Sequence, residues 1–288
     1  MRSSVVDLIC RVAAVPSFSS FEDRLHPLLF EILAGCPGAA IERVPDHNLL
    51  VAIPGTRPGP PVALAAHLDK IDHYPEGTAE LPVMVRDGKI VGAMDDSAGL
   101  GLVLAVACQA AYKRFPALIL LLSEMEESFG FKRHRQRLRA GGAGIEPGQG
   151  AERLSRHLLA SGRRPSAVVT FDTTPLFRGA AGRSLYCAPW ELNGVPAGPE
   201  LRQATALLRD QFLALDPELK IANNTNDYLT YGAQLNPAGA PPIPSVALEP
   251  SIYPYHCAGE EVFVEDILRL EQLMVRFLER ETSVPEHL

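Results

Sequence analysis

The chain has 288 residues, of which 47% are hydrophobic, so it can bury a large core and is not a disordered protein. Its 27 basic and 34 acidic residues give a net charge of −7, which argues against a nucleic-acid-binding protein with a basic face. The longest apolar run, at residues 117–122, is far shorter than the roughly 20 residues that cross a bilayer. Asp7 and Arg11 interrupt any leader-like N-terminal stretch, and five scattered cysteines without a CxxC pair fit a reducing compartment. We therefore expect a cytoplasmic protein without membrane or nucleic-acid partners.

Two helix starts open the chain. Ser4-x-x-Asp7 and Ser19-x-x-Glu22 both match the capping box, in which the side chains at two ends of a first helical turn bond each other's backbone N–H groups. Pro27 falls inside the second predicted helix and should kink it, because proline has no N–H to donate.

Strand-like and helix-like segments alternate through the rest of the chain. Asp87-Gly88, between apolar flanks at 83–86 and 89–91, predicts a two-residue hairpin turn. The predicted strands are at 48–53, 62–66, 117–122, 167–171 and 245–248, and the predicted helices at 98–112, 152–161, 200–215 and 265–279. The Pro- and Gly-rich stretches at 74–81, 141–150, 176–198 and 236–244 predict surface loops. This pattern predicts one domain over residues 1–288, an α/β fold of three layers, α/β/α, around a mixed, largely parallel sheet.

Polar side chains follow several of the predicted strands at the point where each strand ends. His67 and Asp69 follow the second strand, Glu126 and Glu127 follow the third, and Asp172 follows the fourth. Because ligands of open α/β sheets bind at the carboxyl ends of the strands, we expect these groups to share one site.

Two further groups complete a candidate metal set. Asp95 precedes a helix of small residues and His256 lies near the C-terminus; with His67, Glu127 and Asp172 they supply two imidazoles and three carboxylates. This donor set suits two Zn²⁺ ions, with Co²⁺ or Mn²⁺ as alternatives, and leaves positive charge that favours a bridging hydroxide. Taken singly, each group also has an ordinary structural explanation, such as a helix N-cap or a solvated turn.

The neighbours of these residues have matching roles. A carboxylate at Asp69 can accept the N–H of His67 and fix its tautomer. In the pair Glu126-Glu127, one carboxylate can bind metal while the other takes a proton from the attacking water.

The ordered set of motifs resembles the two-zinc, or cocatalytic, aminopeptidase superfamily. This superfamily includes leucyl aminopeptidases, self-assembling cytosolic aminopeptidases, and the acylase and carboxypeptidase branch. The similar segments are 15–22, 48–55, 66–69, 92–99, 126–131, 171–172, 225–227 and 255–262. The resemblance implies that His67 and His256 are terminal ligands, one for each metal, and that Asp95 bridges the metals through a segment with a cis bond to Asp96. It also implies that Glu127 and Asp172 complete the ligand shells and that Glu126 is the general base.

Two spacings depart from the larger members of this superfamily. Only 27 residues separate His67 from Asp95, and only 83 separate Asp172 from His256, which leaves no room for an insertion domain or a lid. The resemblance therefore implies a minimal catalytic domain whose oligomeric state is open. The basic segment at 132–139 fits either a solvated helix face or a rim that holds an acidic substrate.

The implied reaction is hydrolysis of the amide bond at the N-terminus of a small peptide, by an aminopeptidase-type mechanism with a metal-bridging hydroxide. The alternatives are an N-acyl amino acid deacylase or amidase with the same site, a single-zinc acyl transferase, and an inactive homologue that acts as a binding module. Arg178 and Arg183, in the loop predicted after Asp172, are candidates for binding a substrate carboxylate; the alternative is that they are ordinary exposed loop charges.

Overall fold

The helices and strands alternate as the sequence predicts, in a computed structural model that describes residues 4–74, 78–127 and 148–280. The helices are α1 Val5–Ala13, α2 His26–Ala34, α3 Ser97–Ala107, α4 Gln149–Ala160, α5 Pro189–Asn193, α6 Pro199–Leu215, α7 Asp227–Gln234 and α8 Val264–Glu279. The strands are β1 Ala40–Val44, β2 Asn48–Ile53, β3 Val62–His67, β4 Met84–Arg86, β5 Lys89–Gly92, β6 Leu118–Ser123, β7 Val168–Phe171, β8 Arg183–Tyr186, β9 Lys220–Ala222, β10 Ser245–Pro250, β11 Ile252–Tyr253 and β12 Glu260–Phe263.

The main sheet has eight strands in the order β1-β2-β6-β3-β7-β10-β8-β9. The four central strands, β6, β3, β7 and β10, are parallel to one another, while β2 and β8 run antiparallel beside them. A second sheet has four strands in the order β11-β12-β5-β4. Its strands flank the two chain segments that carry Asp95, which follows β5, and His256, which lies between β11 and β12. The mixed, largely parallel sheet predicted from the sequence is confirmed.

Helices cover both faces of the main sheet, because successive strand residues point to opposite faces. On one face Leu64 and Leu120 pack in a large core with α1, α2, α3, α6 and α8. On the other face Ala65 and Leu121 pack in a smaller core with α4 and α7. The predicted three layers are therefore present. No helix within the described ranges combines the length and the apolar character that crossing a membrane requires.

The first helix begins as predicted and the second does not. The Ser4 hydroxyl accepts a hydrogen bond from the Asp7 backbone N–H, and the Asp7 carboxylate accepts one from the Ser4 backbone N–H, which is a complete capping box. The box predicted at Ser19 and Glu22 is wrong: a short 3-10 helix begins at Glu22 without a side-chain cap, and Pro27 lies in the first turn of α2. Proline is tolerated there because first-turn N–H groups have no partner within the helix, so the predicted kink is absent from α2.

The predicted hairpin is confirmed, whereas the predicted loop at 176–198 is wrong. Asp87 and Gly88 both adopt positive φ between the antiparallel strands β4 and β5. The stretch 176–198 contains β8 and α5, and β8 pairs with β10 inside the main sheet. The basic segment at 132–139 and most of the predicted loop at 141–150 lie outside the described residues.

Candidate functional site

Five chain segments bring the predicted metal-binding residues together at one edge of the sheet. His67 is the last residue of β3, Asp172 follows β7, and Glu127 follows β6, and these three strands are parallel neighbours. Asp95 lies between β5 and α3, and His256 lies between β11 and β12. The parallel order of the central strands therefore accounts for three of the five positions, and the smaller sheet carries the other two.

The carboxylate of Asp95 lies at the centre of this cluster, with each oxygen facing a different histidine. Its Oδ1 is 3.3 Å from Nε2 of His67, which is also 3.8 Å from Oδ1 of Asp172. Its Oδ2 is 3.3 Å from Nε2 of His256, which is also 3.2 Å from Oε1 of Glu127. The five side chains thus form two groups of three donors that share Asp95.

Each group is mostly buried, and the carboxylates crowd one another. His67, Asp95 and Glu127 have donor atoms within 4.8 Å of one another, which is a spacing that can hold a cation. Burial and the charge of Asp95 raise the pKa of Glu127 to about 8, and the same two causes raise the pKa of Asp172. Burial opposes charge on His256, but its contacts with Asp95 and Glu127 raise its pKa to about 10. The cluster therefore has more negative charge than it can hold without protons or cations.

Asp69 fixes the orientation of His67. Nδ1 of His67 donates to the backbone oxygen of Asp69 at 3.0 Å and lies 3.3 Å from its Oδ1. Because a carbonyl oxygen only accepts, Nδ1 carries the proton, and Nε2 is the nitrogen that faces Asp95 and Asp172.

The same Asp69 side chain holds the segment after β6. Its Oδ1 accepts from the Glu126 backbone N–H at 3.0 Å, and its Oδ2 accepts from Glu127 N–H at 2.9 Å and from the Ser19 hydroxyl at 2.6 Å. Glu126 is half-buried, and burial together with the charge of Glu127 raises its pKa well above the usual value. A carboxylate with a raised pKa beside a charged cluster suits a group that first accepts and then donates a proton.

Asp96 and Glu260 fix the chain on either side of Asp95. Asp96 caps α3 by accepting from Gly99 N–H at 2.7 Å, and its other oxygen accepts from His67 N–H at 3.3 Å. Glu260 accepts from the backbone N–H groups of Met94 and Asp95 at 2.8 and 3.1 Å. The Asp95–Asp96 peptide bond is cis, as the resemblance implies.

Several buried charged residues of this region were not predicted from the sequence. Glu260 lies in a segment that shows the resemblance, but only the fold reveals that it binds the chain at Asp95. Lys70 is buried beside Asp69, Asp96 and Glu260 and donates to the Ser17 hydroxyl at 2.7 Å, and burial lowers its pKa to about 7. Asp227 and Glu249 are also buried near the cluster. Asp227 lies in the similar segment 225–227 but had no predicted role, and the end of the predicted strand at 245–248 is the only sequence signal for Glu249.

A second set of donors lies beside the segment after β6. Glu22, His47 and Glu124 also have donor atoms within 4.8 Å of one another. Glu22 accepts from Met125 N–H at 3.2 Å, and Glu124 accepts from His47 N–H at 2.8 Å and from Arg153. The guanidinium of Arg153 supplies positive charge here, so this set differs from the cluster around Asp95.

The two arginines predicted to bind a substrate carboxylate lie in different surroundings. Arg178 is exposed at the end of the 3-10 turn Pro175–Phe177 that follows Asp172, and its role stays a prediction. Arg183 is buried in β8, and its three guanidinium nitrogens bind three carboxylates, those of Asp216, Asp266 and Glu218, at 3.0, 2.9 and 3.1 Å. The predicted loop around Arg183 is wrong, and its guanidinium is already paired with carboxylates of the chain, which favours a structural role over the predicted binding of a substrate carboxylate.

Several solved structures with the same architecture are described as peptidases, and one from Thermotoga maritima is described as an endoglucanase. An aminopeptidase from the archaeon Desulfurococcus kamchatkensis superimposes with a TM-score of 0.66 at 15% identity, over 96% of this chain and 95% of that chain. The TET1 peptidase of Pyrococcus horikoshii, which assembles into a tetrahedron or an octahedral shell, gives 0.64 at 12% identity over 96% and 100%. The aminopeptidase PepT of Bacillus cereus gives 0.63 at 12% identity over 96% and 97%. No protein-family model and no curated protein sequence matches the chain.

The chain has the fold of these proteins. The likeness extends over nearly the whole of each chain, so the α/β/α architecture is shared from end to end. A structural likeness at 12 to 15% sequence identity establishes the fold alone. The chemistry of this chain depends on the residues of its own site.

Proposed function

We propose that the protein is a metal-dependent aminopeptidase with one catalytic domain, which hydrolyses the amide bond at the N-terminus of a small peptide. The observation that carries this proposal is the position of Asp95, whose two oxygens each face one histidine at 3.3 Å. A carboxylate shared in this way between two sets of donors is what a pair of neighbouring divalent ions requires. The peptidase activity of proteins with the same fold supports it.

The donor distances fit metal ions of the size of Zn²⁺. Metal–nitrogen and metal–oxygen bonds of about 2.0–2.2 Å in a tetrahedral shell put the ligand atoms roughly 3.3–3.6 Å apart. The contacts of Asp95, His67, Asp172, His256 and Glu127 range from 3.2 to 3.8 Å. His67, Asp172 and Asp95 would hold one ion, and His256, Glu127 and Asp95 would hold the other. When bound, the two ions would polarise the scissile carbonyl and lower the pKa of the attacking water.

The chain's own residues then have distinct tasks. Glu126 would accept the proton of the attacking water on its carboxylate and donate it to the nitrogen of the leaving amine. Asp69 would hold the Nδ1–H of His67 while it fixes the backbone of Glu126, so that the proton acceptor and the metal ligand keep one geometry. Glu260 and Asp96 would hold Asp95 from both sides.

The deciding experiment uses pairs of fluorogenic substrates that differ only at the amine. Aminoacyl-coumarin amides with a free amine, and the same compounds with an N-acetyl group, are incubated with protein loaded with Zn²⁺, Co²⁺ or Mn²⁺. We expect release of coumarin from the free-amine compounds only, loss of activity with a chelator, and recovery when metal is added back.

The other outcomes each name a different function. Cleavage of only the N-acetyl compounds would replace the aminopeptidase proposal with an N-acyl deacylase or amidase. No cleavage by protein with two ions bound would indicate an inactive homologue that binds rather than cleaves.

A further inference from the structure

Two cysteines that are far apart in the sequence touch each other under the helical layer. Cys36 and Cys108 are separated by 72 positions, and their sulfurs are 3.5 Å apart, with the Cys36 thiol donating to Cys108. Both lie just past the C-terminal ends of helices, Cys36 after α2 and Cys108 after α3. Both are free thiols, and both belong to or pack against the large core.

The backbone holds both residues in place. Cys36 N–H donates to Leu33 at 2.9 Å, and Cys108 N–H donates to Leu104 at 2.9 Å, so each cysteine continues the hydrogen bonding of its helix. A disulfide needs the sulfurs at about 2.05 Å, which is roughly 1.5 Å closer than they lie now. Rotation about χ1 moves each sulfur while the backbone hydrogen bonds of the two cysteines stay in place.

The two thiols differ in a way that gives them different chemical roles. Cys36 is only 4% exposed, whereas Cys108 is half-buried and can meet a small molecule from solvent. The hydrogen bond from Cys36 lowers the pKa of Cys108, and the same bond together with burial raises the pKa of Cys36. A partly exposed thiol with a lowered pKa is the one that attacks, and a buried thiol behind it is the one that resolves.

We propose that Cys36 and Cys108 form a thiol–disulfide exchange site that reacts with small-molecule disulfides such as oxidised glutathione. The Cys108 thiolate attacks one sulfur of the disulfide, forms a mixed disulfide with it, and releases one molecule of the small thiol. The Cys36 sulfur, after losing its proton, attacks the Cys108 sulfur, forms the Cys36–Cys108 bond and releases the second molecule. The two cysteines lose two electrons and two protons in total, and the small disulfide is reduced to two thiols.

The test follows the masses of cysteine-containing peptides after exposure to oxidised glutathione, with free thiols blocked before digestion. In the wild-type protein we expect the peptides of Cys36 and Cys108 to be joined, with the loss of two hydrogens. In Cys36→Ser we expect Cys108 to retain one glutathione, because nothing resolves the mixed disulfide. In Cys108→Ser we expect Cys36 to stay unmodified, because the attacking thiol is gone.

Cys257 is the matched control. It is exposed, and its sulfur contacts a backbone oxygen rather than another sulfur, so it should gain one glutathione in all three proteins without a cross-link. A stable glutathione on Cys108 of the wild-type protein, or equal modification of the remaining cysteine in both variants, would overturn the proposal. The wild-type result decides even if a variant folds poorly, and it is independent of the proposed peptidase activity.

Discussion

Two groups of buried charges in this chain are built differently, although both lie at the main sheet. Around Arg183 in β8, one guanidinium meets the carboxylates of Asp216, Asp266 and Glu218. Around Asp95, three carboxylates meet two histidines, and the nearby Lys70 is already beside Asp69 and Glu260. The first group contains its own permanent cation, and the second does not.

The difference separates a structural group of ion pairs from the group that we propose binds metal. A guanidinium is charged at every accessible pH and matches the shape of carboxylates, so the Arg183 group is complete in the folded chain. The group around Asp95 is not complete, because Glu127 has a pKa of about 8 and burial also raises the pKa values of Asp172 and Glu126. Buried carboxylates whose partners in the chain are titratable histidines, and not a guanidinium, suit a site that binds a metal cation.

Asp95→Ala should have the largest effect, because Asp95 belongs to both donor groups. We expect the metal content to fall from about two ions per chain to none, and peptidase activity to fall at least about 10³-fold, since bound metal supplies several kcal/mol of transition-state stabilisation. Metal analysis of protein loaded with Zn²⁺ and dialysed checks this. The control is Asp216→Asn, in the Arg183 group, which should keep both ions. If Asp95→Ala also kept two ions, the group around Asp95 would not be the metal site, and the contrast between the two groups would have no functional meaning.

Arg183→Met tests the other group. Removing the guanidinium leaves the buried carboxylate of Asp266 without its cation, which costs about 3–5 kcal/mol of unfolding free energy. Urea unfolding measures this loss, and KM for a peptide substrate should not change in the fraction that stays folded. A raised KM with unchanged stability would show that Arg183 binds substrate after all.

Glu126→Gln should separate proton transfer from metal binding. The amide is nearly the same size and keeps the backbone bond to Asp69, but it cannot accept the proton of the attacking water. We expect kcat to fall at least about 100-fold while the metal content stays unchanged. The matched variant is Glu127→Gln, which should lose metal; wild-type activity in Glu126→Gln would exclude it as the general base.

The sequence was sufficient to predict those site residues whose positions follow from the order of the strands in the sheet. His67 and Asp172 come directly after apolar runs, and parallel neighbouring strands bring such residues to one edge. Glu249 was not predicted, because it lies within a buried strand whose neighbours in the fold are distant in the sequence.

The errors came from segments where distant contacts override local pattern. Glu22 has the spacing of a capping residue, yet its carboxylate binds Met125 N–H 103 positions away and the backbone N–H of Ser20. Arg183 lies in a stretch rich in Gly and Pro, which is typical of a loop. Pairing with β10 makes the residues around Arg183 a strand, and the ion-pair partner Asp266 lies 83 positions later in the sequence. Local sequence cannot encode such partners.

The pH dependence of the stability of the chelated protein should be the smallest effect, and it reports directly on the charge balance of the group around Asp95. Glu127 and Asp227 have folded pKa values of about 8 and about 7, above the ordinary values of 4.5 and 3.8. At a pH between the unfolded and the folded pKa of each carboxyl, the folded state binds more protons than the unfolded state. The unfolding free energy therefore falls as the pH rises from about 5 to 7. His256, with a folded pKa of about 10 against 6.5, acts in the same direction above pH 6.

We therefore expect the chelated protein to melt at least about 5 °C lower at pH 7.5 than at pH 5.5. Zn²⁺ should remove most of this decline, because bound ions replace the protons that the carboxylates would otherwise need. Lys70 opposes the trend only above pH 7, because its pKa is lowered to about 7. Asp95→Ala should show the decline with and without Zn²⁺, and a wild-type decline that Zn²⁺ leaves unchanged would mean that the group around Asp95 is balanced by something other than metal.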